Sequence, residues 1–193
     1  VGSEMCIRDS PRNFANNARV VLIFGSILLH IAMVKIVAPL VEAGGLPPGG
    51  LFLLLPYALS PLILTALLGR NFGLFATVAT SLFGGLLITQ ASAFPFLFIN
   101  LVTGFVAVLA ASQMRRRTQF LRTGFYCGLS ATLGCLVFGF IDPVPAGQDA
   151  GTLWIPTLKQ VMIPLLVGIA TGLATSGVLP FLERAFQATS NVS

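Results

Sequence analysis

Gln113 to Arg122, QMRRRTQFLR, is a dense knot of positive charge set between two long apolar runs, and it limits what this chain can become more than any other stretch. Four of the eleven basic residues sit in it: Arg115, Arg116, Arg117 and Arg122. Because 55% of the residues are hydrophobic and only 9% charged, the flanking runs read as membrane-spanning helices. A charged side chain at the bilayer centre costs roughly 2.5–3.5 kcal/mol on insertion scales, so the knot lies on one membrane face. Short loops rich in Lys and Arg stay in the cytoplasm, which makes that face the inner one. Counting outward from it then gives the side of every other loop.

Six apolar runs can be counted. Ala18 to Val41 is long enough to cross the hydrocarbon core, with Arg19 at its start and Lys35 near the far end, where its stem reaches outward. AGGLPPGG, Ala43 to Gly50, follows as an external turn. Leu51 to Leu68 holds Pro56 and Pro61, which predict a kinked helix. After a turn at Gly69, Arg70 and Asn71 comes Phe72 to Thr89, with Thr77, Ser81 and Gly85 on one face. Gln90 to Pro95 reads as a tight external turn, and Phe96 to Ser112 leads to the basic knot. Gly124 to Ile141 carries Gly124, Gly128, Ser130 and Gly134; Asp142 to Pro156 is the longest external loop. Leu158 to Phe181 contains the pair Gly168 and Gly172. Small residues at four-residue spacing let helix backbones approach, so these stripes are packing faces.

The fold class is therefore an all-α integral membrane protein, a six-helix transmembrane bundle with short loops and both termini cytoplasmic. Apart from Lys35 and Lys159, the nine remaining basic residues fall on the cytoplasmic side. Residues 1–11 are set apart as a foreign or disordered lead, with Pro11 to Asn17 polar; 12–185 form the membrane domain, and 186–193 begin a linker. The net charge of +5 would point to nucleic acid in a soluble protein. Here it points to no nucleic acid, but to the lipid bilayer and its anionic headgroups as partners, with an oligomer left open.

Chemistry is sparse. Cys6, Cys127 and Cys135 have no metal-ligand spacing, and no P-loop, nucleophile elbow or paired carboxylates are present. The chain holds no catalytic, cofactor-binding or metal residues of its own. His30, the single histidine, and Asn100 lie inside apolar runs and make the candidate intramembrane polar site. The blander account is a neutral imidazole bonded to a neighbouring helix, with Asn100 and Gln90 as interhelical glue.

From Leu51 onward the order of features resembles the membrane domain of the seven-transmembrane receptors with an intracellular HD phosphohydrolase. PYALSPLILTALLG (Pro56 to Gly69), FLFINLVTGFVAVLA (Phe96 to Ala110) and GLATSGVLPFLERAFQATSNVS at the C-terminus carry the likeness. Leu179, Pro180, Glu183, Phe186 and Thr189 match the family's helix exit into the cytoplasmic hydrolase domain. The resemblance implies a multi-pass protein of the bacterial inner membrane. It also implies a hydrolase domain in cis, metal-dependent and acting on cyclic dinucleotides such as cyclic di-AMP, that would begin beyond Ser193. An external region and one further span would precede Pro11. The divalent metal belongs to that domain, and this chain would be the signal-transmitting module, with Pro180, Glu183, Arg184 and Phe186 as its coupling segment. The competing class is a six-helix substrate-capturing component of an energy-coupling-factor transporter. Such components resemble one another in an Ala-x-x-x-Ala seam on the first helix, which Ala18 to Val41 lacks, although Ala107/Ala111 and Ala170/Ala174 occur elsewhere.

Overall fold

The computed structural model describes residues 10–43, 50–88, 90–113, 119–141 and 150–186. Among them there is no strand. Seven helices follow in order: α1 (Ser10–Ala43), α2 (Gly50–Leu54), α3 (Leu59–Leu68), α4 (Arg70–Leu87), α5 (Gln90–Ser112), α6 (Gln119–Val137) and α7 (Ala150–Phe186). Five segments are long and apolar enough to cross a membrane: Arg19–Val37, Gly50–Leu68, Ser92–Ser112, Gln119–Val137 and Thr157–Leu182. The sixth crossing is α4, which falls short of them in hydropathy because its eighteen residues start with Arg70 and Asn71 and are rich in Gly, Thr and Ser. α2 and α3 together make one crossing, so the six-span expectation stands.

The helices run further than hydropathy suggests. α1 takes in the polar stretch from Pro11 to Asn17, since Ser10 followed by Pro11 is itself a helix start: proline's fixed φ and missing donor suit a first turn. α1 also continues through Pro39. The tight turn expected at Gln90 to Pro95 is instead the first turns of α5, with Pro95 inside the helix. α6 begins at Gln119, which puts Arg122 on a helix and not in a loop, and ends at Val137; the chain then turns at Gly139, whose φ is +70°. The expected loop from Asp142 to Pro156 yields its second half to α7, which is 37 residues long, about 56 Å at 1.5 Å per residue. Hydropathy reads only the part of a helix that lies in hydrocarbon, and polar turns beyond it are invisible to that measure. The loops expected at 44–49, 114–118 and 142–149, the lead at 1–9 and the linker at 187–193 lie outside the described residues.

The second crossing is broken, not only kinked. Pro56 has no N–H to give to the carbonyl of Phe52, and that buried oxygen accepts from the Tyr57 hydroxyl at 3.0 Å and from the Cys135 thiol at 3.7 Å. Leu55 to Ala58 leave the helical path, and α3 restarts at Leu59. Pro61 falls in the first turn of α3, where an absent donor costs little. Every residue from Tyr57 to Leu67 is buried, which makes α3 the axis around which the other helices pack.

Two apolar clusters divide the bundle lengthwise. One joins Leu22, Leu62, Leu64, Ala107, Ala111, Phe120 and Leu179; the other joins Val34, Phe52, Tyr57, Phe96, Ile99, Cys135 and Ile141. The first therefore gathers the start of α1, the end of α5, the start of α6 and the end of α7. Arg19, Arg70, Arg122 and Arg184 all stand at that end, each exposed.

Glycine determines how close the helices come. α6 and α7 touch through Gly124, Gly128, Gly168 and Gly172: a Cβ at Gly124 would lie 2.6 Å from the Gly168 carbonyl oxygen, and one at Gly172 would lie 2.5 Å from that of Phe120. The other face of α6 meets α5, where Gly134 lies against Ile99 and the Ser130 hydroxyl donates to that of Thr103 at 3.1 Å. On α4, Thr77 and Ser81 are fully buried and Thr77 fits against Gly104. Gly85 makes only ordinary contacts there; the close approach belongs to Gly84, under the Phe96 ring.

Candidate functional site

The buried face of α1 reads Leu22, Ser26, Ile27, His30, Val34 and Val41, a helical stripe turned to the bundle. His30 is 1% exposed, and neither ring nitrogen meets a hydrogen-bond partner among the described residues. The expected bond from a neutral imidazole to a neighbouring helix is therefore not found. One turn away, the Ser60 hydroxyl of α3 reaches that of Ser26 at 3.4 Å, and Ser26 itself donates to the Ile23 carbonyl at 2.9 Å. α1 packs against α3 and α4, the helices that carry Ser60 and Thr80.

Asn100 is fully buried on α5. Its Nδ2 donates to the Thr80 hydroxyl at 3.4 Å, while Oδ1 is without a partner among the described residues. This is the interhelical role expected of it, though at the long edge of hydrogen-bond range. No hydrogen bond joins His30 to Asn100, since the ring nitrogens of one and the oxygen of the other are all unpartnered. The structure therefore does not join the two candidate residues into a bonded pair. Most other buried hydroxyls are satisfied locally. Thr65, Thr77, Thr80, Ser81, Thr132, Thr171 and Thr175 each return a hydrogen bond to the carbonyl four residues back.

Sequence reasoning missed Tyr57. It lies at the break between α2 and α3, where a small cavity of about 10 Å3 opens among Pro56, Thr103, Cys127 and Thr171. That space has room for about one water and nothing larger. The signal was in the sequence: a proline in mid-span followed directly by a side chain able to replace its missing donor.

The candidate coupling segment forms the last turns of α7. Leu179 is fully buried in the core cluster at the basic end, Pro180 is half-buried, and Phe181 and Arg184 are exposed. The helix passes Pro180 without ending and runs to Phe186. Glu183 and Phe186 lie on that helix, and their side chains are outside the described set. No group of His, Cys, Asp or Glu among the described residues could hold a metal ion.

No curated protein and no solved structure matches the chain. The family described as 7TM receptor with intracellular HD hydrolase matches residues 5–190, nearly the whole length. Long apolar helices, six crossings and a last helix leading out of the core agree with that match, and the chain belongs to the family of seven-transmembrane receptors with an intracellular HD hydrolase.

Proposed function

We propose that this chain is the signal-transmitting membrane module of an HD-family phosphohydrolase acting on cyclic dinucleotides, in the bacterial inner membrane, with both termini in the cytoplasm and the catalytic domain attached beyond α7. The observation that carries the reading is the shared position of Arg19, Arg70, Arg122 and Arg184 at the end of the bundle from which α7 emerges. By the excess of Lys and Arg on cytoplasmic loops, that end faces inward, where a nucleotide substrate is found. Anionic headgroups of the inner leaflet are its lipid partners. The divalent metal of such a hydrolase would sit in the attached domain.

The transporter class loses its motif support. Ala107 and Ala111 are buried on α5, whereas Ala170 and Ala174 are exposed on α7, so the two pairs do not form one seam. The test uses the parent enzyme in bilayers beside its detached catalytic domain. Pro180→Ala and a two-glycine insertion after Phe186 are expected to change how hydrolysis of a cyclic dinucleotide responds to the membrane, with the detached domain's turnover unaffected. An unchanged response in both variants would reduce the helices to an anchor.

A further inference from the structure

We propose that the cleft between the end of α5 and the start of α6 is a binding site for the phosphodiester of an anionic phospholipid headgroup. It rests on the reading that the basic end meets anionic lipid, and gives that contact a defined place. The cleft measures about 220 Å3 and is lined by Ala110, Gln113, Gln119, Arg122, Thr123 and Tyr126. Ala110 lies in the last turn of α5, Gln113 directly follows that helix and Gln119 opens α6, so the cleft lies at the depth of headgroups.

Arg122 is held in advance. Its Nε donates to the Tyr126 hydroxyl at 3.0 Å, and its guanidinium carbon stands 5.6 Å from the ring centroid. A guanidinium fixed on an aromatic ring loses less freedom when a ligand arrives, and its remaining N–H groups match two oxygens of one phosphate. Thr123 supplies the second, independent observation. It is 3% exposed and lines the cleft, yet its hydroxyl takes part in none of the hydrogen bonds among the described residues. Six other buried threonines send theirs back to a carbonyl four residues earlier. The Thr123 hydroxyl is thus free to donate to a phosphate oxygen in the cleft it lines. The first turn of α6 adds backbone N–H groups and the positive end of the helix dipole, with no acidic residue in that turn to neutralise it.

The same chemistry would accept inorganic phosphate. A lipid is favoured because Leu109, Leu121 and Phe125, all exposed, continue from these two helices into the hydrocarbon, where acyl chains would lie. Nanodiscs of phosphatidylglycerol or phosphatidylcholine, and inorganic phosphate in solution, separate the sources, with retained lipid read by native mass spectrometry. Wild type is expected to retain phosphatidylglycerol over phosphatidylcholine. Arg122→Gln should lower that retention about tenfold, as befits a lost charge-assisted fork, and Thr123→Val less. Arg70→Gln and Arg184→Gln, charges at the same end that do not line the cleft, should leave it within about twofold. Should Arg122→Gln fail to fold, Arg122→Lys keeps the charge without the fork and should still lose most of the preference. Equal loss in all three arginine-to-glutamine variants would overturn the site and leave a diffuse attraction to anionic lipid. No preference in wild type would remove both the site and that attraction, and full competition by inorganic phosphate would replace the lipid as ligand.

Discussion

His30 brings two unpartnered ring nitrogens into an interior where most buried hydroxyls have found a carbonyl. An apolar side chain of similar size removes that burden, so His30→Leu is expected to leave thermal stability in detergent unchanged or to raise it, by up to about 1–3 kcal/mol. A clear drop in the melting midpoint would show that the ring is bonded after all. Tyr57→Phe should act in the opposite sense. It deprives the Phe52 carbonyl of its better donor, at a cost of about 1–2 kcal/mol, softened by the Cys135 thiol. Midpoints equal to wild type would mean that the thiol alone satisfies the oxygen. His30 and Asn100 were legible as polar residues in apolar runs. Which of them is bonded was not, because that depends on how α1 and α5 are rotated, and residue type does not fix rotation.

Glycine stripes on α6 and α7 could be read from their four-residue spacing, and the structure sets them against each other. Gly172→Leu is expected to cost about 1–3 kcal/mol or more, since a Cβ there already meets backbone. The contrast is Gly177, one turn and a half further along α7, around which nothing lies within 4 Å of a Cβ. Gly177→Leu should be neutral or gain roughly 0.5–1 kcal/mol from the relieved helix entropy. Equal midpoints for the two variants would remove the packing assignment. Val167 and Ile169 would be poor controls, although spacing alone puts them toward lipid, because both are half-buried. The helix starts at Ser10, Gln90 and Ala150 escaped the hydropathy pattern, because a helix that leaves the hydrocarbon keeps its backbone hydrogen bonds without needing apolar side chains.

Over the whole molecule, the division into two clusters and the arginines at one end make topology a direct check. Reporters fused after Arg117 and after Ser193 are expected to read cytoplasmic, and one at Gly147 external. An external reading at the C-terminus would place the hydrolase on the wrong side of its substrate. Six crossings and their order could be drawn from alternating apolar runs and punctuation. The central place of α3 could not, since an apolar run reads alike whether it faces lipid or protein.

The four-glycine seam restricts how a signal travels. Where two backbones touch with no side chain between them, turning α7 about its own axis by one residue, about 100°, would drive Thr171 or Leu173 into α6. Twisting is therefore blocked, whereas tilting both helices as a single beam leaves the seam's contacts intact. In the proposed module, a signal carried by α7 would therefore leave the bundle as a lean of the α6–α7 pair.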